Sequence, residues 1–518
     1  MTTLWKHDRA EPTGTAFESG ARRDVVVVGA GITGLSTALL LARDGLDVAV
    51  VESGGVGELT TGGNTGKLSL LQGSVLSTLR RHHPASLARA YVDANRAGAE
   101  WITAFATEAG VPFSRRTAYS YAQTQEGVET VAAEAAAASE AGLAVHRIAA
   151  DAVEWGFPIV DAVALEGQVA IDPQALTVAL AEAFVAAGGA LHLGTRVRHA
   201  HVVPEAVVET DAGAMRAGHV VLATGTPIVD RGLYFAKTHG LRSYCVAFEV
   251  DGDVPDGLFL SVDGPTRSLR SVTVDDGPAG RAQLVVGGNG HPVGRGGAEQ
   301  ERIDDLIDWT QRHFPGARPV DAWSAQDYES HNLVPFVGAM PRSLGRIRFA
   351  TGYAKWGLTN APAAALRLAA EVRRTPWRER PDWMNTIARR ITVPADLARG
   401  GVETVKVGWE AASGWIDAQR TAVPVPRPAE GEGVVAHRGG KPIGVSTVDG
   451  VTRAVSAVCT HLGGVVSWNE AECTWDCPLH ASRFGPDGTR LEGPAVRDLE
   501  HLPRVPSEPA GSEAAAAQ

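Results

Sequence analysis

The sequence predicts an α/β (α+β) chain in which a parallel-sheet unit is interleaved with an antiparallel sheet and followed by a small all-β domain. Three observations carry this. A valine-rich strand near the N-terminus runs into a glycine turn and an apolar helix. Strand-like runs alternate with alanine-rich helical segments through the middle of the chain. Near the C-terminus, two pairs of cysteine and histidine sit among short strands.

The first element is Asp24–Val28, read as a buried parallel strand, followed by Gly29-Ala-Gly31-Ile32-Thr33-Gly34 and by a helix through Leu35–Leu41. Gly29 permits the tight turn and Gly31 lets the backbone approach a pyrophosphate. Gly34 lets the helix pack closely, so that phosphates meet its N-terminus. A second strand, Asp47–Val51, ends at Glu52, placed with Ser53 to accept from ribose hydroxyls. Strand, turn, helix and acid together mark a dinucleotide site. Thr60-Thr61-Gly62-Gly63-Asn64-Thr65-Gly66-Lys67 then forms a glycine- and threonine-rich loop that can approach a flavin closely.

Residues 1–23 read as a polar lead and 24–395 as one unit. Helices are expected over Ser86–Glu108, Gly127–Ala141 and Pro173–Ala187, and antiparallel strands over Tyr244–Val250, Ser271–Val274 and Gln283–Gly287. Residues 396–430 form a linker, with a helix expected over Val405–Ala418 despite Gly408 and Gly414. The proline-rich run from Ala422 reads as a semi-rigid spacer. The small β domain occupies 431–505, and 506–518 read as a disordered tail.

In the small domain, Cys459-Thr-His461 is followed, after fifteen residues, by Cys477-Pro-Leu-His480. Two thiolates and two imidazoles from two short loops are the ligand set of a Rieske [2Fe-2S] centre, cysteines on one iron and histidines on the other. Structural zinc also uses two cysteines and two histidines, but usually spaces its first pair by two to four residues. One residue separates Cys459 from His461, and the ligands alternate.

Composition fits a soluble, bacterial-style enzyme. The 518 residues, 44% hydrophobic and 21% charged, can fill more than one core, and a net charge of −11 argues against nucleic acid. Neither an apolar signal core nor an apolar run long enough to span a bilayer is present, so a cytoplasmic protein without a membrane partner is expected. Of four cysteines, two are assigned to iron; Cys245 reads as core and Cys473 as a spare thiol, with no disulfide framework.

The chain from Asp24 to His501 resembles FAD-dependent oxidoreductases of the D-amino-acid oxidase (DAO, glycine/sarcosine oxidase-like) superfamily with a C-terminal Rieske domain. The likeness includes Val220-Val-Leu-Ala223-Thr224-Gly225, Phe349-Ala-Thr-Gly352-Tyr-Ala-Lys355-Trp356-Gly357-Leu358-Thr359-Asn, Leu241-Arg-Ser-Tyr244 and Gly287-Gly-Asn-Gly-His291. Tyr234-Phe-Ala-Lys237, Trp323–Tyr328 leading to Val334-Pro-Phe-Val-Gly338, Trp468-Asn and Gly493-Pro-Ala belong to it too. It implies an FAD-binding Rossmann-type domain interleaved with an antiparallel-sheet substrate domain, then a small all-β Rieske domain. FAD contacts are implied for Val197, Ala223, Thr224, Gly225, Gly352, Lys355, Trp356, Gly357, Leu358 and Thr359, where a helix N-terminus faces the flavin.

The resemblance further implies hydride transfer from a small amine or amino-acid-like substrate to the flavin, with electrons leaving singly through the Rieske cluster to an external acceptor protein. Lys355, Tyr244, Arg242 and His291 are expected nearest the substrate; Lys355 orients a carboxylate or promotes charge on the reduced flavin, and Arg242 clamps a carboxylate. His461 and His480 are expected as solvent-facing ligands. Departures from the family's pattern fall at Gly63, Asn64 and Gly66 and over Glu329–Leu333, on the expected substrate side. Gly464 and Leu479 stand where respiratory Rieske proteins have a loop-linking disulfide, Ala481 replaces the usual glycine, and Phe484 replaces a tyrosine, although Ser482 is kept. Fewer donors to the sulfurs predict a low, ferredoxin-like potential.

Three other readings are weighed. A Rieske oxygenase needs a mononuclear iron domain after the cluster, and only a short tail follows. A reductase fed by NADH or NADPH would need a second G-x-G-x-x-G unit, and none is found. A redox carrier or sensor would lack a substrate able to bleach the flavin.

Overall fold

The computed structural model describes residues 3–6, 12–149, 155–273, 282–388, 406–407, 409–410, 413–420 and 427–503. Two units divide the chain: Met1–His291 with Glu301–Arg399, and Pro292–Gln300 with Gly400–Gln518.

Valines build the centre of the first unit. The strand Arg22–Val28 pairs in parallel with Gly213–Leu222 on one side and Val48–Val51 on the other. Val25, Val26 and Val27 are fully buried, as in a parallel strand covered on both faces. The sheet runs in the order Phe336–Ala339, Ile347–Thr351, Gly213–Leu222, Arg22–Val28, Val48–Val51, Ala190–His192. On one face lies the helix Ile32–Arg43, against which Gly357–Val372 and Pro173–Ala186 pack. The last of these starts where its sequence requires: Asp172 Oδ1 accepts from the backbone N–H of Gln174 and Ala175 at 2.8 and 2.9 Å, with Pro173 in the first turn.

The second sheet of this unit has nine strands, with Thr238–Glu249 antiparallel to Arg318–Ser330. The expected helices lie at Ala85–Glu108, Val128–Glu140 and Pro173–Ala186. The expected strands are longer than the sequence suggested, at Thr238–Glu249, Arg267–Thr273 and Ala282–Pro292, because their ends carry polar or glycine residues that hide the apolar pattern. Phe113–Ala122 and Asp161–Ile171 extend the same sheet and were not anticipated.

The polar lead needs correction. Leu4–Lys6 forms a 3-10 turn, and Leu4 and Trp5 are buried in a cluster with Cys245, Ala247, Val285 and Trp323 on the second sheet. A lead that is polar on average thus carries two apolar residues that dock.

The second unit holds a three-stranded sheet, Gly433–Arg438, Lys441–Val448 and Val451–Ser456, and a four-stranded one from Ser467–Asn469 to Arg490–Glu492. Trp475 and Phe484 are fully buried between them, and the Trp468 ring meets Trp475 edge-on at 4.7 Å. Within the expected Val405–Ala418 helix, 406–407, 409–410 and 413–418 are helical. Most of the spacer from Ala422, and the 506–518 tail, lie outside the described residues. The segment Pro292–Gln300, which the sequence places inside the 24–395 unit, belongs to this one.

Gly34 sets the first unit's tightest contact: a β-carbon there would stand 1.9 Å from the Gly29 carbonyl oxygen. Gly34→Ala is expected to cost at least ~2 kcal/mol of stability and to weaken FAD retention, read as a lower thermal midpoint together with loss of bound flavin absorbance.

Candidate active site and cluster centre

The glycine turn is shaped to receive a phosphate. Gly29 has φ +108°, and a β-carbon on it would lie 2.5 Å from the Ala223 carbonyl oxygen, so only glycine fits. The helix after it begins at Gly31 with no side-chain cap and no acid in its first turn. Its leading N–H groups therefore point outward as donors, which is the cradle a pyrophosphate needs. Glu52 closes the turn from the side: Oε2 accepts from Ala30 N at 2.8 Å, and Oε1 from Ser53 Oγ and Gly54 N at 3.0 and 2.9 Å. Thr61 Oγ1 lies 3.4 Å from Ile32 N, and Thr33 Oγ1 meets the Tyr353 hydroxyl at 3.0 Å. These contacts gather the glycine turn, the 60–67 loop and the 352–359 segment at the carboxyl ends of the parallel strands.

Other expected cofactor positions join them. Thr60 Oγ1 donates to Gln326 O, Gly62 N to Gly57 O, and Asn64 Oδ1 accepts from Gly66 N. Thr224 turns its hydroxyl onto Thr226 O, while Gly225 O accepts from Thr351 Oγ1 at 2.5 Å. Val197 is buried at the head of the strand Val197–His201. The helix Gly357–Val372 starts at Trp356, again without a side-chain cap. A buried network holds its first turn: Gln72 Nε2 donates to Thr359 Oγ1 at 3.2 Å, Tyr91 Oη to Gln72 Oε1 at 2.7 Å, and Asn360 Nδ2 to Tyr91 Oη at 3.2 Å.

The four residues expected nearest the substrate do not converge. Successive residues of a strand face opposite sides, so Arg242 and Tyr244 share one face of Thr238–Glu249 and Ser243 and Cys245 the other. Arg242 is fully buried with Nη2 on Gln326 Oε1 at 3.2 Å, and Tyr244 meets His291 Nε2 at 3.0 Å. Lys355 is on the Ser243 side. A β-carbon on Gly290 would sit 2.6 Å from Lys355 Nζ and 3.0 Å from Ser243 Oγ. Ser243 Oγ is buried without a hydrogen-bond partner among the described residues. Two polar groups thus border a position kept clear by a glycine.

Electrostatics on this face favour an anion. Lys355 is solvent-accessible but closely surrounded by protein, and that incomplete hydration lowers its ammonium pKa against the pull of Asp327 and Glu329. Asp327 accepts from the backbone N–H of Lys355 and Tyr328, yet burial raises its carboxyl to about 6. Lys67, expected at the flavin, donates to Phe259 O at 2.7 Å and Ser268 Oγ at 2.5 Å on the second sheet. Burial, then the charge of Arg270, lowers it to about 7. Arg270 lies over the Trp5 ring and donates to Thr65 O and Gly66 O at 2.8 Å; Trp5 Nε1 donates to Asn64 O at 2.8 Å. Trp5, Ser243, Asp327 and Tyr353 were missed in the sequence. Only the Leu4-Trp5 pair inside a polar stretch offered a signal.

In the second unit the four expected metal ligands come together on two loops. Cys459 N donates to Gly464 O and Cys477 N to Ser482 O, both at 2.8 Å. The two thiols are within hydrogen-bonding reach: Cys477 donates to Cys459, lowering the latter's pKa and raising its own. The N–H groups of His461 and Leu462 and the Ser482 hydroxyl also serve the Cys459 sulfur, and those of Leu479 and His480 the Cys477 sulfur. Such donors are what cluster-bound thiolates require. The His461 and His480 rings meet edge-on with centroids 5.0 Å apart, both half-buried. Burial, with the nearby charges of His461 and Arg295, pushes His480 down to about 4, so it is neutral as a ligand must be. The set divides into a thiolate pair and an imidazole pair, and these residues fit a two-iron cluster.

Loop details settle two points raised by the sequence. Ala481 takes the left-handed conformation, φ +65°, of the glycine it replaces. Leu479 packs on Gly464, where a β-carbon would meet it at 2.6 Å, so an apolar contact joins the loops at the disulfide positions. The segment Pro292–Gln300 braces the second loop: Ser467 Oγ donates to Gly294 O at 3.1 Å and Arg295 Nε to Pro478 O at 2.8 Å.

Comparison with known proteins agrees with this geometry. Residues 24–371 match the model of the FAD dependent oxidoreductase family, DAO, and residues 422–503 that of the Rieske [2Fe-2S] domain. A protein of Bacillus subtilis strain 168 named as a Rieske 2Fe-2S iron-sulfur protein, YhfW, is 28% identical over 517 residues, covering 96% of this chain and 97% of its own. Glycine oxidase from Geobacillus kaustophilus superposes with a TM-score of 0.55 at 18% identity, over 69% of this chain and 96% of that one. L-amino acid deaminase from Proteus vulgaris gives 0.59 at 15%, over 74% and 100%. Among the described residues, no helix is long and apolar enough to cross a membrane.

Two outcomes are expected. Lys67 releases its proton near pH 7 when folded but near its ordinary 10.5 when unfolded. The unfolded chain therefore binds more protons in that window, and stability rises with pH across it. Lys67→Met should flatten the rise, as measured by denaturant unfolding from pH 7 to 10. Arg295→Met removes a charged donor from the loop between Cys477 and His480. The cluster potential should fall by roughly 50 mV, followed by an EPR-monitored redox titration.

Proposed function

We propose that this chain, which belongs to the DAO family of FAD-dependent oxidoreductases and carries a Rieske [2Fe-2S] domain, is a dehydrogenase of a small amino acid or related amine. When bound, FAD supplies hydride acceptance and the cluster supplies single-electron transfer to an outside acceptor. The observation that carries the substrate class is the pair Lys355 and Ser243 beside Gly290, a cation and an unsatisfied hydroxyl at a position with no side chain of its own. That combination suits a carboxylate, which accepts from both.

The remaining residues orient and shield. Asp327 pins the backbone of Lys355, so the ammonium is presented from a fixed left-handed loop, φ +73°. Trp323, held by Nε1 on Gly63 O at 3.0 Å, and buried Trp5 wall the same sheet face with apolar surface that keeps water away. The likeness to glycine oxidase and L-amino acid deaminase supports oxidation at a carbon–nitrogen bond.

The experiment is anaerobic absorption spectroscopy of the holoprotein with amines and amino acids and, separately, NADH and NADPH. Rapid flavin bleaching by an amino acid is expected. Bleaching by a nicotinamide alone would make the chain a reductase with the cluster as its outlet. Lys355→Met should raise KM for a carboxylate-bearing substrate about 10- to 100-fold, as expected for one lost charged hydrogen bond, and change much less for an amine without a carboxylate.

A further inference from the structure

A cavity of about 570 Å³ opens in the first unit, lined by the side chains of His219, Leu344, Arg346, Arg348 and Arg374. It lies at the end of the parallel sheet opposite to the dinucleotide turn. Gly218 and His219 lead into the parallel stretch Val220–Leu222, and Arg348 is the second residue of Ile347–Thr351. The glycine turn, Ala223–Gly225 and Gly352 follow the other ends of these strands, three or so residues away, about 10 Å along the sheet. FAD therefore does not account for it.

The lining is built from donors. Arg346 Nη1 donates to Val202 O at 2.6 Å and Pro204 O at 2.8 Å, so carbonyls rather than a carboxylate hold it in place. Arg348 Nη1 meets His219 Nδ1 at 3.1 Å, and its Nη2 donates to Glu371 O at 3.0 Å. A guanidinium can only donate, so Nδ1 accepts and the His219 proton resides on Nε2. Burial and the charges of Arg348, Arg374 and Arg346 push His219 down to about 4, leaving the ring neutral and Nε2 a donor. The guanidinium of Arg374, exposed at the mouth, has no hydrogen-bonded partner among the described residues.

Charge is as one-sided as hydrogen bonding. Arg367 and Arg380 stand behind the lining arginines, and the carboxylate paired with them among the described residues, Glu371, is shared by Arg367 Nε at 3.1 Å and Arg348 Nε at 3.6 Å. Such a concentration is unexpected in a chain of net charge −11. Arg374 also occupies the position after a helix end where glycine is usual, at φ +58°, so an arginine stands there against backbone preference.

We propose that this cavity is a binding site for a small phosphate ester, with the phosphate on Arg346, Arg348, Arg374 and His219 and the organic part against Leu344. Planar guanidinium forks match phosphate oxygens. Leu344 is 74% exposed at the mouth, an apolar surface next to the cationic floor. A concave site of this size admits a small molecule, whereas an acidic protein surface would need a broad convex patch.

The test is calorimetric titration of the FAD- and cluster-loaded protein at constant ionic strength, with inorganic pyrophosphate and with AMP as probes. One saturable site is expected for each. Arg374→Ala should weaken both about tenfold or more. Arg373→Ala removes the same charge from the adjacent residue, which pairs with Asp44 instead, and should change neither beyond about twofold. Leu344→Ala should weaken AMP and leave pyrophosphate unchanged. The flavin absorption spectrum checks that each variant is folded. Absence of saturable heat at millimolar pyrophosphate, equal losses in Arg373→Ala and Arg374→Ala, or binding of heparin alone would each overturn the proposal; AMP binding indifferent to Leu344 would overturn the assignment to an ester.

Discussion

The first unit depends on a contact between two stretches of bare backbone. Gly34 brings the helix Ile32–Arg43 onto the strand Arg22–Val28 with no β-carbon between them, and Gly29 meets the Ala223 carbonyl with equally little room. These approaches fix the direction in which the helix N-terminus points. Glu52, Thr61 and Tyr353 can then reach the same turn from three remote parts of the chain. A helix standing off by one methyl group would lengthen these contacts, of which Thr61 Oγ1 to Ile32 N is already at 3.4 Å. Close packing at one point thus sets the geometry of the whole cofactor face.

A second constraint is how cations are kept on the side of the second sheet where Trp5 docks. Arg270 is buried there and donates to carbonyl oxygens rather than to carboxylates, whereas burial leaves Lys67, on Phe259 O and Ser268 Oγ, titrating near pH 7. Carbonyls solvate a cation without cancelling its charge, so the field persists at the site. Asp327, even with its pKa raised to about 6, is mostly ionised at neutral pH and offsets Lys355, so that buried Arg270 supplies the remaining positive charge. A positive field in a poorly hydrated site stabilises anions, whether a substrate carboxylate or charge on a reduced flavin.

Contiguous patterns were legible and spatial ones were not. The glycine turn, Glu52 and the Cys-His pairs each lie within short segments whose spacing carries the chemistry, and the structure forms the expected turn and loops. Arg242, Tyr244 and His291 were expected near the substrate from the family resemblance, but period two says only that Arg242 and Tyr244 share a face, not which face meets the cofactor. Ser243 and Asp327 matter through neighbours brought in by strand pairing, which no local pattern reveals. Trp5 was hidden by averaging, because two apolar residues do not change the character of a polar lead. The lengths of the sheet strands were underestimated for the same reason, as polar ends mask the alternation.

The second unit shows how far a domain's completeness can lie outside its own stretch of sequence. A cluster loop without a disulfide must be held by packing, and Leu479 on Gly464 supplies that between the two loops. The outer side of the second loop is held by Gly294 and Arg295, residues well over a hundred positions earlier. Gly294 has φ +68°, and a β-carbon there would come within 2.8 Å of Pro478 N, so the segment fits only because that position has no side chain. The carbonyl that Arg295 engages belongs to the residue after Cys477, close enough for its charge to act on the ligands themselves. A fragment beginning near residue 431 would retain all four ligands yet lack this brace. The cluster environment is therefore a property of the whole chain, shaped partly by a segment that sequence reading assigns to the oxidoreductase.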